Sequence, residues 1–261
     1  MKDHIFVICA YGDSPYLEDC IRSLVRQTEA ENIMVCTSTP SPYIEKMAKT
    51  YHLPLFVREG ESDIQADWNF AYEMADARLV TIAHQDDLYH QDYQAWVEKT
   101  WKQYPDTTVM MTDAAIVKNG KLQKSGAVQL VKRLLRLPLC CPDWNHISWV
   151  KKSSLIFGNP VICPSCTYHK EMLGSPLFQS DYKFALDWDT MWQLAGRPGR
   201  FISNKRPLLY YRVHEAATTN ACIKDHRRER EEADMFRKIW PEPIVRLLMY
   251  FYRKAYGQYG S

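Results

Sequence analysis

Residues 4–25 read HIFVICAYGDSPYLEDCIRSLV, and the change of pattern inside this stretch decides the fold. From His4 to Ala10 the chain is continuously apolar, as expected of a strand covered on both faces. Ser14 and Pro15 then supply an N-cap and a proline at the first helical position, and Glu18 and Asp19 stand in the first turn. Leu17, Ile21, Leu24 and Val25 follow at helical spacing. The alternation continues: residues 32–37 read as a strand, 43–51 as a helix and 53–57 as a strand. Ile64, Trp68, Ala71 and Ala75 make one helix face, and residues 79–83 a fourth strand that runs directly into HQDD. Tyr93, Trp96, Val97, Thr100, Trp101 and Tyr104 then recur at three and four, an amphipathic helix. Strand and helix in strict alternation mean parallel strands joined by right-handed crossovers, hence a mainly parallel, twisted α/β sheet flanked by helices. Such sheets bind ligands at the carboxyl ends of their strands. The loops at 11–14, 37–41 and 84–89 therefore belong to one rim, where function is to be sought.

From about Thr107 the alternation loosens. Residues 109–117 read as a strand and Asn119-Gly120 as a hairpin turn. Residues 121–143 read as a long loop or an amphipathic excursion, 165–169 as a strand before a short helix, 187–195 as a helix and 208–214 as a strand. From Ile223 to the end the pattern is helical. No Gly-, Ser- or Pro-rich linker splits the chain.

A chain of 261 residues is long enough for one large α/β domain, or for one domain with a helical appendage. Its hydrophobic fraction of 46% and charged fraction of 25% are those of an ordinary globular protein and exclude disordered or collagenous classes. A net charge of +2 does not argue for nucleic acid as a partner. The basic run at 226–230 is interleaved with Asp225, Glu231 and Glu232, the pattern of a solvated helix face. The apolar run at the N-terminus is too short for a secretory h-region, and no stretch approaches the ~18–20 apolar residues of a membrane span. The eight cysteines are scattered, and several, such as Cys9 and Cys36, lie in strand-like apolar runs. They read as reduced thiols in a cytoplasmic protein. Cys163 and Cys166 form a CxxC, but Cys140 and Cys141 upstream do not make a second pair at zinc spacing, so buried thiols are the preferred reading.

The segment Ala83-His84-Gln85-Asp86-Asp87 sits at the end of a buried strand. Two carboxylates beside a histidine suit a divalent cation that bridges a departing diphosphate, since hard oxygen ligands hold Mg²⁺ or Mn²⁺. Standing alone, the same residues read equally as a solvated acidic turn.

They do not stand alone. The order AYGDSPYLEDCIRSLVRQT, strand–helix–strand, DWNFAYEMA, HQDD, LDWD and YYRVHEAATT, spanning roughly residues 4 to 220, resembles family 2 glycosyltransferases of the kind that build bacterial surface polysaccharides. The resemblance implies a GT-A nucleotide-sugar-binding fold, a nucleotide-sugar donor with a divalent metal (Mn²⁺ or Mg²⁺), transfer to a saccharide acceptor and inversion at the anomeric carbon. It implies a catalytic domain over residues 1–220, with a nucleotide-sugar half at about 1–113 and an acceptor half at about 114–220, and a C-terminal helical extension at 221–261. It places Asp86 at the last carboxylate of the metal motif, with His84 where a first Asp is usual and an imidazole can serve. Ala10, Tyr11, Asp13, Thr37, Asp67, Asn69, Gln85 and Asp87 become donor-binding candidates. His214 enters as a metal or phosphate contact, against the alternative of an ordinary satisfied histidine. The pair of Asp usual after the second strand is missing from Val35-Cys36-Thr37-Ser38-Thr39-Pro40, which leaves base recognition to Thr37, Ser38 or backbone groups. Uridine is the base the resemblance suggests.

Asp187 in LDWD matches the family's catalytic base, the single carboxylate that takes the acceptor proton. On the residues alone it reads as a helix cap. Asp189, two positions on, projects differently and reads as structural. The first turn lacks GxGxxG and no GxxxxGK[ST] occurs, so dehydrogenase and P-loop chemistry have no support. A non-catalytic nucleotide-sugar-binding member of the same fold is the alternative, given the departures at His84 and Thr37. The segments 243–254 and 130–139 mix leucines and aromatics with basic residues, a pattern that suits either a helix packed on the catalytic domain or one lying in a membrane interface. With a lipid-linked acceptor in view, the expected location is the cytoplasm, peripheral to the inner face of the cell membrane.

Overall fold

In the computed structural model, which describes residues 2–123, 126–214 and 226–256, the opening apolar run is strand β1 (Lys2–Ala10), with Phe6, Val7 and Ile8 wholly buried. After it come α1 (Leu17–Val25), β2 (Ile33–Thr37), α2 (Pro42–Thr50), β3 (Leu55–Val57), α3 (Ile64–Met74), β4 (Ala77–His84), β5 (Leu88–Tyr89) and α4 (Tyr93–Gln103). The second half holds β6 (Thr107–Lys118), β7 (Lys121–Leu122), α5 (Ala127–Arg136), α6 (Ser148–Ser153), β8 (Cys166–His169), α7 (Lys170–Leu173), α8 (Leu186–Ala195) and β9 (Arg200–Val213). Two helices, α9 (Arg227–Arg237) and α10 (Glu242–Tyr256), complete the described chain. The start of the C-terminal helical pattern at 223–225 lies outside the described residues.

One sheet of nine strands runs β3-β2-β1-β4-β8-β6-β9-β5, with β7 paired to β6. The first four are parallel, as the alternation predicts, and β6 and β9 are parallel to each other; β8 and β5 run against their neighbours. In the order 3-2-1-4 the chain turns back between β1 and β4, and a crevice opens at the carboxyl ends where neighbouring connections leave on opposite faces. The loops after β1, β2 and β4 share that rim.

Most boundaries follow the sequence pattern; three differences have physical causes. Helix α1 begins at Leu17 rather than Pro15, with Tyr16 at its N-cap, because the Ser14 hydroxyl donates to Asp86 Oδ1 at 2.9 Å and is drawn across the rim. Strand β9 starts at Arg200, well before the apolar run at 208. Its first half contains Asn204-Lys205-Arg206-Pro207, which mask the strand pattern, and the register against β6 slips there, between Thr112↔Asn204 and Asp113↔Pro207. A bulge of this kind absorbs residues that cannot join the ladder. Residues 127–136, open between loop and amphipathic excursion, form helix α5. The hairpin at Asn119-Gly120 is as expected, with φ of 52° and 71°, the left-handed pair a two-residue turn requires.

The core fills both faces of the sheet. A chain of buried polar groups passes through it: His4 Nδ1 lies 2.5 Å from Gln94 Oε1, His4 Nε2 2.7 Å from Thr81 Oγ1, and Thr81 Oγ1 2.6 Å from Thr167 Oγ1. Helices α9 and α10 join the same core. Phe236 meets Trp188 edge-on at 5.1 Å and Tyr252 at 5.1 Å, and Val245 and Met249 are buried beside them. Truncating such an aromatic to alanine costs about 3–5 kcal/mol. The seven described cysteines are free thiols; burial pushes Cys166 up to about 12 and raises Cys163 also.

Candidate functional site

The crevice between β1 and β4 is closed by side chains that tie one loop to the next. Gln85, the first residue past β4, uses its whole carboxamide on Tyr11: Tyr11 N–H donates to Oε1 at 3.1 Å and Nε2 donates to Tyr11 O at 2.8 Å. That clasp fixes the turn at Ala10 and Tyr11 and leaves the Tyr11 ring projecting from the rim, 62% exposed. Gly12, at φ 56°, turns the chain and donates its N–H to Thr39 Oγ1 at 2.8 Å. Thr37, buried at the end of β2, accepts from Thr39 N at 3.0 Å. Asp13 accepts from Ser41 Oγ at 2.5 Å, steadying the residue that caps α2.

Asp67 on α3 is held from three sides. Arg58 Nε donates to its Oδ1 at 2.7 Å, and the hydroxyls of Ser38 and Ser62 both donate to Oδ2 at 2.9 Å. This cluster joins the ends of β2 and β3 to α3 and supplies the β2 end with a carboxylate that its own sequence lacks. Asn69 is committed elsewhere. Its Oδ1 accepts from Leu177 N and Phe178 N, and its Nδ2 donates to Phe178 O at 2.8 Å, so the amide holds the 177–178 backbone and faces no rim atom.

The four residues of HQDD part company. Asp87 is 1% exposed, accepts from Arg212 N at 2.9 Å, and has its carboxyl pushed well above the usual range by burial. It anchors the end of β4 to β9. Asp86 faces the crevice, where Oδ2 lies 3.1 Å from His214 Nε2, at the end of β9. Tyr16 packs against the His214 ring at 4.9 Å and beneath the Arg212 guanidinium at 4.1 Å. His84 stacks on Trp68 with ring centres 5.0 Å apart; burial holds its pKa down at about 4, and its Nε2 is buried without a hydrogen-bond partner among the described residues. The structure thus brings Asp86 and His214 together, but gathers no group of three His, Cys, Asp or Glu side chains among the described residues.

Two protein ligands fit a hard cation that takes its remaining oxygens from a diphosphate and water, the usual habit of Mg²⁺ and one Mn²⁺ shares. Asp86 and His214 would hold it. The unpartnered, neutral His84 ring is chemically able to ligate but belongs to the Trp68 stack.

Asp187 occupies the second position of α8. The terminus is capped from outside: Glu231 on α9 accepts from Phe184 N at 2.6 Å and from Ala185 N at 2.9 Å. Asp187 accepts from Trp188 N at 2.8 Å and is reached by the Asn159 side chain; burial raises its carboxyl above the usual range while the Lys132 charge opposes the rise. A carboxylate raised in this way is a better proton acceptor than one in water. Asp189 binds Ser180 Oγ at 2.7 Å and Lys238 Nζ at 2.8 Å and is structural, as its position on the helix suggested. Sequence reading gave no site role to Tyr16, Arg58 or Glu231 and took Ser14 for a helix cap; their partners stand nine or more residues away in the chain, so no local pattern marks them.

The family profile described as glycosyl transferase family 2 matches residues 5–166. No curated protein sequence matches the chain. Among solved structures, S. aureus TarS 1–349 in complex with UDP-GlcNAc aligns at TM-score 0.66 and 14% identity, covering 95% of this chain and 70% of that one. The mannosyltransferase PcManGT from Pyrobaculum calidifontis, with GDP-Man and Mn²⁺, aligns at 0.61 and 18%, covering 95% and 68%. Glucosyl-3-phosphoglycerate synthase from Mycobacterium tuberculosis, with Mn²⁺ and UDP-glucose, aligns at 0.57 and 14%, covering 87% and 76%. Likeness at these identities speaks for the fold, which is GT-A.

Proposed function

The chain belongs to glycosyl transferase family 2, and from that premise we propose that it transfers a sugar, with inversion, from a nucleotide-sugar donor on the β1–β4 rim to a saccharide hydroxyl. The observation that carries this reading is the Asp86–His214 pair at 3.1 Å, set in the crevice where the strand order reverses. The Tyr11 ring is the base platform. Asp67, held by Arg58 and Ser38 at the end of β2, stands in for the missing carboxylates and faces the nucleoside. Uridine is the base adopted: TarS and the M. tuberculosis synthase were solved with uridine nucleotides, although PcManGT holds GDP-Man.

When bound by Asp86 and His214, Mn²⁺ or Mg²⁺ supplies charge neutralisation for the departing diphosphate. Asp187 accepts the hydroxyl proton of the acceptor as its oxygen bonds to the anomeric carbon; the bond to the diphosphate breaks on the opposite face, and the electron pair leaves with the phosphate oxygen. Asp187 is half-buried and desolvation raises its carboxyl, which supports that role. Asp87, Gln85 and Asn69 act at one remove, by fixing the β9 end, the Tyr11 turn and the 177–178 loop.

We place the acceptor at a lipid surface, in bacterial surface-glycan synthesis at the inner face of the cell membrane. Helix α5 turns Leu130, Val131 and Leu134 outward, and α10 exposes Leu247, Tyr250 and Phe251 among Arg246, Arg253 and Lys254. Apolar groups ringed by cations suit anionic headgroups. No helix among the described residues is long and apolar enough to cross a membrane.

The test is a panel of nucleotide sugars scored for thermal stabilisation and for release of nucleoside diphosphate, with and without Mn²⁺. Stabilisation by one base class that grows with Mn²⁺, together with diphosphate release, is expected. A panel in which nothing stabilises overturns the donor reading; stabilisation with no release leaves a non-catalytic binder.

A further inference from the structure

Helix α8, which carries Asp187, begins without a cap of its own. Its N-cap residue is Ala185, whose methyl group can accept nothing, yet the N–H groups of a buried helix start need acceptors. The acceptor comes from α9, far along the chain. Glu231 Oε1 accepts from Lys183 N at 3.2 Å, and Oε2 accepts from Phe184 N at 2.6 Å and from Ala185 N at 2.9 Å. Three more contacts from α9 follow on the same stretch. The Arg228 guanidinium lies over the Phe184 ring at 5.1 Å, Phe236 meets Trp188 edge-on at 5.1 Å, and Lys238 Nζ reaches Asp189 Oδ1 at 2.8 Å. Residues on both sides of Asp187 are thus gripped by one helix, while Asp187 itself is half-buried.

We propose that Glu231 is a positioning residue for Asp187: by holding the 183–185 backbone it fixes the first turn of α8, and with it the direction in which Asp187 presents its carboxylate to the acceptor hydroxyl. The inference rests on the proposed role of Asp187 as base. A carboxylate that accepts from backbone N–H groups makes charge-assisted bonds, about twice as strong as neutral ones. It also stands at the positive end of the α8 dipole, where a negative charge is favoured. The three bonds fall on three consecutive residues, so they set both the place and the orientation of the chain as it enters the helix. Asp187, two positions past Ala185, then has only its own two side-chain torsions left to settle, and its Oδ1 accepts from Trp188 N at 2.8 Å. Glu231 itself touches no reacting atom. Helix α9 on this reading belongs to the catalytic machinery rather than to an appendage, and a boundary near residue 220 would part the base from the group that holds it.

The experiment measures release of nucleoside diphosphate from UDP-glucose, UDP-GlcNAc or GDP-mannose, whichever stabilises the protein, with Mn²⁺ and well below the melting temperature. It compares the full chain with Glu231→Ala, Glu231→Gln, Asp187→Asn and the double variant of Glu231→Ala with Asp187→Asn. Glu231→Ala is expected to lower kcat by about 10- to 100-fold with the donor KM unchanged, the cost of a misplaced catalytic group. Glu231→Gln keeps the size and an accepting oxygen, and is expected to restore most of the rate. The double variant is expected to be no slower than Asp187→Asn alone, because a base already removed cannot be misplaced. Glu231→Asp, which withdraws the carboxylate by one methylene, puts the same question if alanine disturbs folding. Amide hydrogen exchange over residues 183–188 needs no substrate, and is expected to quicken about tenfold in Glu231→Ala, as when a helix cap is lost. Unchanged exchange there, or a lower melting temperature with kcat at the parent value, overturns the proposal and leaves Glu231 as a contact that only stabilises the fold. Losses that multiply in the double variant overturn it as well, since Glu231 then acts by a route other than Asp187. Turnover by Asp187→Asn at the parent rate removes Asp187 as the base and this inference with it, a failure told apart from the others because that single variant shows it.

Discussion

Asp86 Oδ2 and His214 Nε2 meet at 3.1 Å, joining the end of β4 to the end of β9 across the mouth of the crevice. The same carboxylate accepts from Ser14 on the β1 side, so one residue is gripped by two of the elements that frame the rim. A pair of this kind holds an oxygen and a nitrogen in place for a cation and is itself held by the fold.

Asp86→Ala is therefore expected to abolish Mn²⁺-dependent stabilisation by the donor, and His214→Ala to weaken it. A ligand at a hundred times its Kd stabilises by about 2.7 kcal/mol, so the lost shift is readily measured. His84→Asp is expected to leave the response in place, because His84 lies on Trp68 rather than in the pair. A donor shift in Asp86→Ala that still grows with Mn²⁺ would sink the metal assignment.

Asp187→Asn keeps the size of the side chain and its hydrogen bond from Trp188, and the helix terminus stays capped by Glu231. The expected result is a fall in turnover of about 10²–10⁴ with donor affinity little changed. In the parent protein the rate is expected to fall with acid as the carboxyl is protonated, at a pH above the ordinary aspartate value of about 3.9, because burial raises this group. Loss of thermal stability without a specific loss of turnover would return Asp187 to a structural role.

How much of this was legible in the sequence depends on distance along the chain. Strands β1 to β4 are readable because burial on both faces leaves unbroken apolar runs, and α1 to α4 because their buried residues recur at helical spacing. The first half of β9 was hidden, since Asn204 to Pro207 look like a loop until the register slip opposite Asp113 is known. Periodicity also announces that α5 is amphipathic without saying which face turns inward. That choice is made by Asp113, which supplies a buried carboxylate for Arg133 and Arg136, whereas an apolar face is ordinarily the one that packs. At the site, Asp86, His214 and Asp187 stand out by type and place, whereas Asp87, Gln85 and Asn69 share their signature yet act on backbone. Only the partner atoms separate the two groups.

His4 gives a pH dependence of stability. Its ring sits between Gln94 and Thr81, buried, with a pKa lowered from 6.5 to about 4. The unfolded chain therefore binds a proton in that interval that the folded chain refuses, so folding is favoured by rising pH. The contribution is complete above about 6.5, shrinks as pH falls, and is gone below about 4, with an upper magnitude of roughly 3 kcal/mol. Denaturant melts at stepped pH are expected to show His4→Gln less acid-sensitive than the parent over this window. Parallel curves for the two proteins would mean that His4 is not held neutral.

The last expectation concerns the outward faces of α5 and α10. Deleting α10 is a poor test, since Val245 and Met249 are buried in the same cluster as Trp188 and Phe236, and their loss would unsettle α8 and Asp187 with it. Leu247, Tyr250 and Phe251 are exposed, so changing all three to serine leaves the packed side of the helix alone. The lysine and arginines beside them add an attraction to anionic lipid that salt screens within about 10 Å at 0.1 M ionic strength. The parent protein is expected to sediment with anionic vesicles at low salt and release at high salt, and to bind neutral vesicles less. The triple serine variant should bind weakly at any salt while its melting temperature and its release of diphosphate from a soluble donor stay near those of the parent. Leu130→Ser with Leu134→Ser asks the same of α5, independently of the C-terminal helix. If the parent ignores anionic vesicles at low salt, or the serine variants bind them as well as the parent does, these faces do not meet a membrane, and self-association of the parent in solution becomes the measurement to make on them.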